Sequence, residues 1–219
     1  MDPIDQVVFS KRPRKAKGEI TLFSEKVKFI RIPKPFPNSN FETGKDILIT
    51  QGSTYIRNPS LERSIHKHDK DPAFAVKAYL DIFGLEYDQK YIDAILKESS
   101  IVIKNIKNSF NRPRPAQLAP YFGVTLDLLE STTNKTPSYP SGHSTQSRLI
   151  AEVYGALYPD HRKNLVKAAE ECGKGRVAAG FHYPSDHKAG VYLAKRMFSY
   201  IIEPQTHEQT FYNRTLDLF

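Results

Sequence analysis

Three short stretches of this chain concentrate residues able to grip an anion and move a proton. The first runs from Lys107 to Arg114 and Pro115, the second is Pro140, Ser141, Gly142 and His143, and the third runs from Gly175 and Arg176 to His182 and Asp186. Lys107, Arg114 and Arg176 supply three positive charges, and the two guanidinium groups suit bidentate contact with phosphate oxygens. The prolines around Arg114 restrict its direction, and Lys107 is expected to lay its stem along a helix with its ammonium emerging at the end. Pro-Ser-Gly-His reads as a helix start. Ser141 can cap it, and Gly142 leaves the backbone N–H groups open to an anion at the positive end of the helix dipole. His182 and Asp186 stand four apart across Pro184. In that arrangement the carboxylate accepts from one imidazole nitrogen and leaves the other unprotonated as a nucleophile. His143, at the mouth of the amide site, offers a second imidazole able to protonate a leaving group. The combination is equipment for phosphoryl transfer without a metal.

Helices must bring these stretches together. Apolar residues Ile92, Ile95, Leu96, Val102, Ile103, Ile106 and Phe110 form one stripe at 3.6 residues per turn, which predicts a helix over 88–110 carrying Lys107 near its end. Further helices are expected from Pro72 to Phe83, from about Ser141 to Leu157, after Pro159 through Val177, and from Pro184 to about Ile202. The segment 116–139 reads as a loop with a short helix near Leu126–Leu129. Upstream, partial alternation over Ile20–Ile32 favours a strand or hairpin, and Ile47–Thr50 with Tyr55 and Ile56 a short strand pair around Gly52 and Ser53. The expected architecture is mainly α: a helical bundle over 71–204, an irregular, partly β N-terminal extension over 1–70, and a polar tail over 205–219.

Composition narrows the class. The 219 residues are 39% hydrophobic and 26% charged, enough apolar material for a core and against wholesale disorder. The net charge of +8, of which +3 falls in residues 1–17, points to an anionic partner or substrate. A single Cys172 excludes an intramolecular disulfide and reads as a small buried residue. No apolar stretch approaches the ~18 residues of a membrane span, and the N-terminus has no secretory pattern. A soluble, cytoplasmic protein is therefore expected.

The ordered spacing Lys-x6-Arg-Pro, Pro-Ser-Gly-His and Arg-x5-His-x3-Asp resembles the type 2 phosphatidic acid phosphatase (PAP2) and vanadium haloperoxidase superfamily, over about residues 90–200. The resemblance implies an α-helical core and a covalent phosphohistidine. His182 would attack phosphorus, Asp186 would orient it, and His143 would protonate the leaving oxygen and later activate water. Lys107, Arg114, Arg176, Ser141 and the Gly142 amide would hold the phosphate oxygens. No cofactor is implied for hydrolysis: vanadate would inhibit, and would be a cofactor only in a haloperoxidase, whose relatives are generally longer chains. The family often has Ser where this chain has Gly175, and an apolar residue where it has His187, which is given no role.

Taken singly, each element has an ordinary reading: a capped helix start, a solvated lysine, a surface ion pair for Arg176, a structural bond from His182 to Asp186. Their joint order and spacing favour an enzyme acting on a small phosphorylated substrate. The alternatives are a haloperoxidase and a non-catalytic basic protein binding anions or nucleic acid. Nucleic acid is not the expected partner, and a homo-oligomer stays open. His66, His68 and Asp69 read as a polar loop and not a metal site, since no supporting ligand set accompanies them. The basic run Lys11–Lys15 reads as a solvated arm. For Phe181 and Tyr183, substrate mouth and core packing are equally open.

Overall fold

The computed structural model describes residues 2–11 and 14–201. Eight α-helices occur among them: α1 (Phe41–Tyr55), α2 (Pro59–Lys70), α3 (Phe74–Ile82), α4 (Gln89–Phe110), α5 (Pro115–Leu118), α6 (Gly142–Leu157), α7 (Arg162–Ala178) and α8 (Pro184–Phe198). The mainly helical reading holds. The predicted polar tail, and part of the Lys11–Lys15 run, lie outside the described residues.

α6 is the axis of the bundle. Eleven of its sixteen residues are buried, as expected of a helix that packs on several sides. Its most extensive neighbours are α7 and α8, with α4 also against it. Leu149, Ile150, Val153 and Tyr154 join Ile92, Ile95, Val102 and Ile103 of α4 and Leu193 and Met197 of α8 in one core. Gly190 allows the closest approach: a Cβ there would lie 2.7 Å from the Ser141 carbonyl oxygen, so only glycine lets α8 rest against the start of α6. α4 begins at the Asp88 cap, whose carboxylate accepts from the Lys90 and Tyr91 N–H groups, and ends at Asn111 in the left-handed conformation, φ 49°.

The N-terminal strand expectations fail. Residues Ile47–Thr50, Tyr55 and their neighbours lie in or at the end of α1, capped by Asn40. The buried positions Ile47, Thr50 and Thr54 recur at three and seven residues, a helical spacing that a local cluster of β-branched residues disguised. Over Ile20–Ile32 there is a 3₁₀ turn (Glu25–Phe29) and one isolated antiparallel bridge, Phe23 to Ile201. The alternation holds at Ile20 and Leu22 but breaks at Phe23, next in the chain and buried with them, and at Phe29, which is exposed. The Glu98 carboxylate, and not a neighbouring strand, accepts from the Thr21 and Leu22 N–H groups (2.9 and 2.8 Å). The short helix expected at Leu126–Leu129 is also misplaced. It forms at Pro115–Leu118 and runs into a 3₁₀ turn at Ala119–Phe122, where prolines favour helix starts. Residues 126–129 are irregular, with Arg57 donating to the Asp127 carbonyl at 2.6 Å.

Candidate active site

The three stretches converge. Lys107, Arg114, Gly142, His143, Arg176 and His182 all line one cavity of ≈ 360 Å³. Its walls are the last turns of α4, the loop 133–136, the start of α6, the end of α7 and the turn before α8. Five cations line it, Lys104 and Lys135 besides the three expected, and among the described residues no carboxylate does.

His182 is 2% exposed and its protonation pattern can be read from its partners. Asp186 Oδ2 lies 3.1 Å from Nδ1 and accepts also from the Tyr183 N–H (3.1 Å) and the Ser138 hydroxyl (2.5 Å). A carboxylate in that position makes Nδ1 the protonated nitrogen. Nε2 is left with a lone pair, facing Arg114 Nη1 at 3.1 Å. Burial, then the Arg114 charge, hold the imidazole well below its ordinary range despite Asp186. For Asp186 burial works the other way, but Arg112 beside it, with the His182 and Ser138 bonds, outweighs it and keeps the carboxylate ionised far below the usual range.

The cations sit deeper than expected. Lys107 does not emerge at the end of its helix: it is 4% exposed and donates to the Pro137 and Ser138 carbonyls (2.5 and 3.3 Å). The loop after residue 116 folds over the end of α4, which the stem-and-head picture of a lysine does not foresee. Burial and then the Arg114 charge push its ammonium well below the ordinary lysine range. Arg114 donates from Nε to the Thr136 carbonyl (2.9 Å) and from Nη1 to Asn134 (3.1 Å) and to the Phe181 carbonyl (2.8 Å). Burial lowers it to about 10. Arg176 pairs with Asp69 (2.5 Å) and donates to Thr133 (3.0 Å), while its buried Nε has no partner among the described residues. Asp69, with His66 and His68, lies on α2 and is not part of a polar loop.

At the start of α6, Ser141 caps as expected, accepting from the Ser144 N–H. Its hydroxyl turns back to Ser144 (2.9 Å) and does not line the cavity. The N–H groups of Gly142 and His143, in the first turn, have no acceptor within the helix. His143 Nε2 lies 3.3 Å from the Asp69 carbonyl, which can only accept, so Nδ1 carries the lone pair when the ring is neutral. Burial, then Arg176, push the His143 imidazole down to about 3.

Several contributors escaped the sequence. Arg112, 3% exposed, donates to Asp186 Oδ1 at 2.7 Å and to Ser185 at 2.8 Å, stacks 4.0 Å from the Tyr183 ring and reaches towards Asp46. It adjoins Pro113, as Arg114 does, and nothing in its own neighbourhood marks it as the arginine that holds the carboxylate. Ser138 carried no signal at all, and Asp69 drew notice only as part of the His66, His68 and Asp69 cluster, not as the partner of Arg176. His187 is buried in a hydrogen-bonded chain from Glu170 (3.0 Å) through His187 to Ser144 (3.0 Å) and on to Ser141. Phe181 and Tyr183 pack beneath Arg176 and Arg112 and are not on the cavity wall. A Cβ at Gly175 would meet Ile65 of α2 at 3.2 Å, so position 175 faces away from the anion-sized cavity. Among the described residues no three His, Cys, Asp or Glu come together to hold a metal.

The chain belongs to the PAP2 superfamily, whose sequence pattern matches residues 94–204, just over half of its length. It is 32% identical over 125 residues to an acid phosphatase of Zymomonas mobilis subsp. mobilis, covering 57% of this chain and 47% of that protein. It is 39% identical over 70 residues to a non-specific acid phosphatase of Salmonella typhi (32% and 28% of the two chains). A lipid A 1-phosphatase of Rhizobium johnstonii is 32% identical over 93 residues (42% and 38%). The matched stretches thus span about half or less of these relatives. A solved structure, a transmembrane PAP2-type phosphatidylglycerolphosphate phosphatase from Bacillus subtilis, aligns at a TM-score of 0.49 and 22% identity over 74% of this chain and 84% of that one. Among the described residues no helix of this protein is long and apolar enough to cross a membrane.

Proposed function

We propose that this protein is a phosphohydrolase that removes phosphate from small phosphomonoesters through a phosphohistidine on His182. One observation carries the reading: the bare Nε2 of His182 faces a cation-lined cavity while its Nδ1–H is committed to Asp186. The acid phosphatases and lipid A phosphatase among the relatives support the reaction class.

In the first half-reaction the Nε2 lone pair forms the bond to phosphorus and the ester P–O bond breaks. His143, protonated, passes its proton to the departing oxygen. In the second, His143 takes a proton from water, the water oxygen bonds to phosphorus and the P–N bond breaks, releasing phosphate. Arg114, Arg176, Lys107 and the Gly142 N–H hold the three remaining oxygens, where charge develops in the transition state. Ser141 supports that cradle as the cap of α6. Burial first, and then the neighbouring cations, depress Lys107 and His143. A phosphate dianion in the cavity opposes both effects and so favours the charged forms of Lys107 and His143. No metal is needed in this scheme, because three buried cations neutralise the phosphoryl group.

The test is p-nitrophenyl phosphate hydrolysis in the presence of EDTA across acid to neutral pH, with vanadate as a mimic of the five-coordinate transition state. Turnover that survives the chelator and is blocked by vanadate is expected. The sign of the pH dependence follows from the two imidazoles. kcat/KM falls on the acid side only where His182 Nε2 takes a proton, below the ordinary histidine range. kcat falls on the alkaline side as His143 in the substrate complex loses its proton. No turnover anywhere in that range contradicts the reading.

A further inference from the structure

The cavity holds more positive charge than one phosphoryl group uses. Lys107, Arg114 and Arg176 account for the oxygens of a phosphate at His182. Lys104 and Lys135 also line the cavity, are exposed, and have no ion-pair partner among the described residues. They come from two different walls. Lys104 lies one turn before Lys107 on α4, on the same face. Lys135 is fixed by its neighbours. Asn134 accepts from Arg114 and Arg176 (3.1 and 3.3 Å), and the Thr136 carbonyl accepts from Arg114 (2.9 Å). The loop is therefore tied to the deep cations on both sides of Lys135, which holds that residue at the mouth. With no carboxylate of the described residues on the lining, this outer pair has no counter-charge among them, and a volume of ≈ 360 Å³ has room beyond a single phosphoryl group.

We infer that Lys104 and Lys135 form an outer anion subsite, and that the preferred substrates carry a second phosphoryl group adjoining the one removed. This rests on the phosphohydrolase reading for the chemistry at His182, where the bond broken is then the P–O bond of an anhydride and the departing oxygen that of the second phosphoryl group, but the subsite itself is a binding property. A diphosphate placed with its terminal phosphorus at His182 Nε2 puts its second phosphoryl group among the outer lysines. A monophosphate leaves them unused. Exposed cations act on such a ligand by a few-fold each and are weakened by salt.

The test is calorimetric titration of the full chain with inorganic phosphate and with methylenediphosphonate, a diphosphate analogue whose P–C–P link is not hydrolysed, at one fixed ionic strength. The diphosphonate is expected to bind about tenfold more tightly than phosphate. In the Lys104→Gln, Lys135→Gln double variant that ratio is expected to fall to about twofold, each lysine accounting for a few-fold. Lys97→Gln, an exposed charge of α4 off the cavity wall, separates a local subsite from the general field of a cationic protein and is expected to leave the ratio unchanged. A ratio near one in the unaltered protein overturns the inference. So does a ratio that survives the double substitution, or one that Lys97→Gln lowers equally. If p-nitrophenyl phosphate is not hydrolysed yet the ratio and its lysine dependence hold, the subsite stands and the hydrolase reading alone falls.

Discussion

Replacing His182 with alanine is expected to lower release of phosphate from p-nitrophenyl phosphate by about 10⁴–10⁶-fold, the scale of losing a nucleophile that acts as part of a unit. The reason lies in the count of protons around one ring. Asp186 Oδ2 fixes Nδ1–H, and the only lone pair of the imidazole is then the one on Nε2, beside Arg114. No other described nucleophile on the cavity wall has this arrangement. His143 is aimed by a carbonyl, and the Cys172 thiol is off the cavity wall, fully buried and pushed up to about 12 by that burial. The cavity should still bind phosphate after the substitution, because its cations are untouched. Phosphate affinity within a few-fold of the unaltered protein, measured alongside the lost turnover, separates loss of the nucleophile from loss of the site.

The second large effect concerns Asp186. Asp186→Asn keeps the shape but removes the charge that dictates which nitrogen of His182 is protonated. A drop in kcat of about 10³–10⁴-fold is expected, as in other sites where a buried carboxylate sets a histidine tautomer. Stability changes as well. Arg112 is 3% exposed, and its strongest partner is the Asp186 carboxylate at 2.7 Å. Breaking such a pair leaves a buried charge uncompensated, at a cost of about 3–5 kcal/mol, partly relieved here by Asp46 at 3.7 Å. Denaturant unfolding of the variant reads that loss. The companion change Arg112→Gln should destabilise similarly while leaving the Nδ1 acceptor in place, and hence reduce kcat less. Equal kcat losses in the two would make the arginine, and not the tautomer, decisive.

Much of this site is legible in the sequence. The types and spacing of Lys107, Arg114, Gly142, His143, Arg176 and His182 point to one anion site, and the six share one cavity. Helix periodicity and caps are local, so α4, α6 and α8 could be read from the stripe at Ile92–Phe110, from Ser141 and from Pro184. The failures are non-local. Whether Ile47 and Thr50 belong to a strand or a helix depends on what covers them, and whether Lys107 meets water depends on a loop thirty residues away that delivers the Pro137 carbonyl to its ammonium. Arg112 and Ser138 act only through Asp186, a long-range contact that no motif spacing encodes. The Ser141 hydroxyl, assigned to phosphate from the resemblance, is turned towards Ser144 because the helix cap and the buried His187 chain claim it.

The account turns on a covalent bond between phosphorus and one named nitrogen. His143→Ala removes the proton donor and the base for hydrolysis but leaves His182 and the cations. With p-nitrophenyl phosphate, whose leaving group departs without assistance, it is expected to give a burst of about one nitrophenolate per protein chain and then slow turnover. Tandem mass spectrometry of the rapidly quenched protein, kept alkaline because a phosphorus–nitrogen bond is acid-labile, should find a single phosphoryl group on the imidazole of His182. Steady turnover in which no burst occurs and no phosphoryl group is recovered, or one recovered on another residue, would contradict the mechanism.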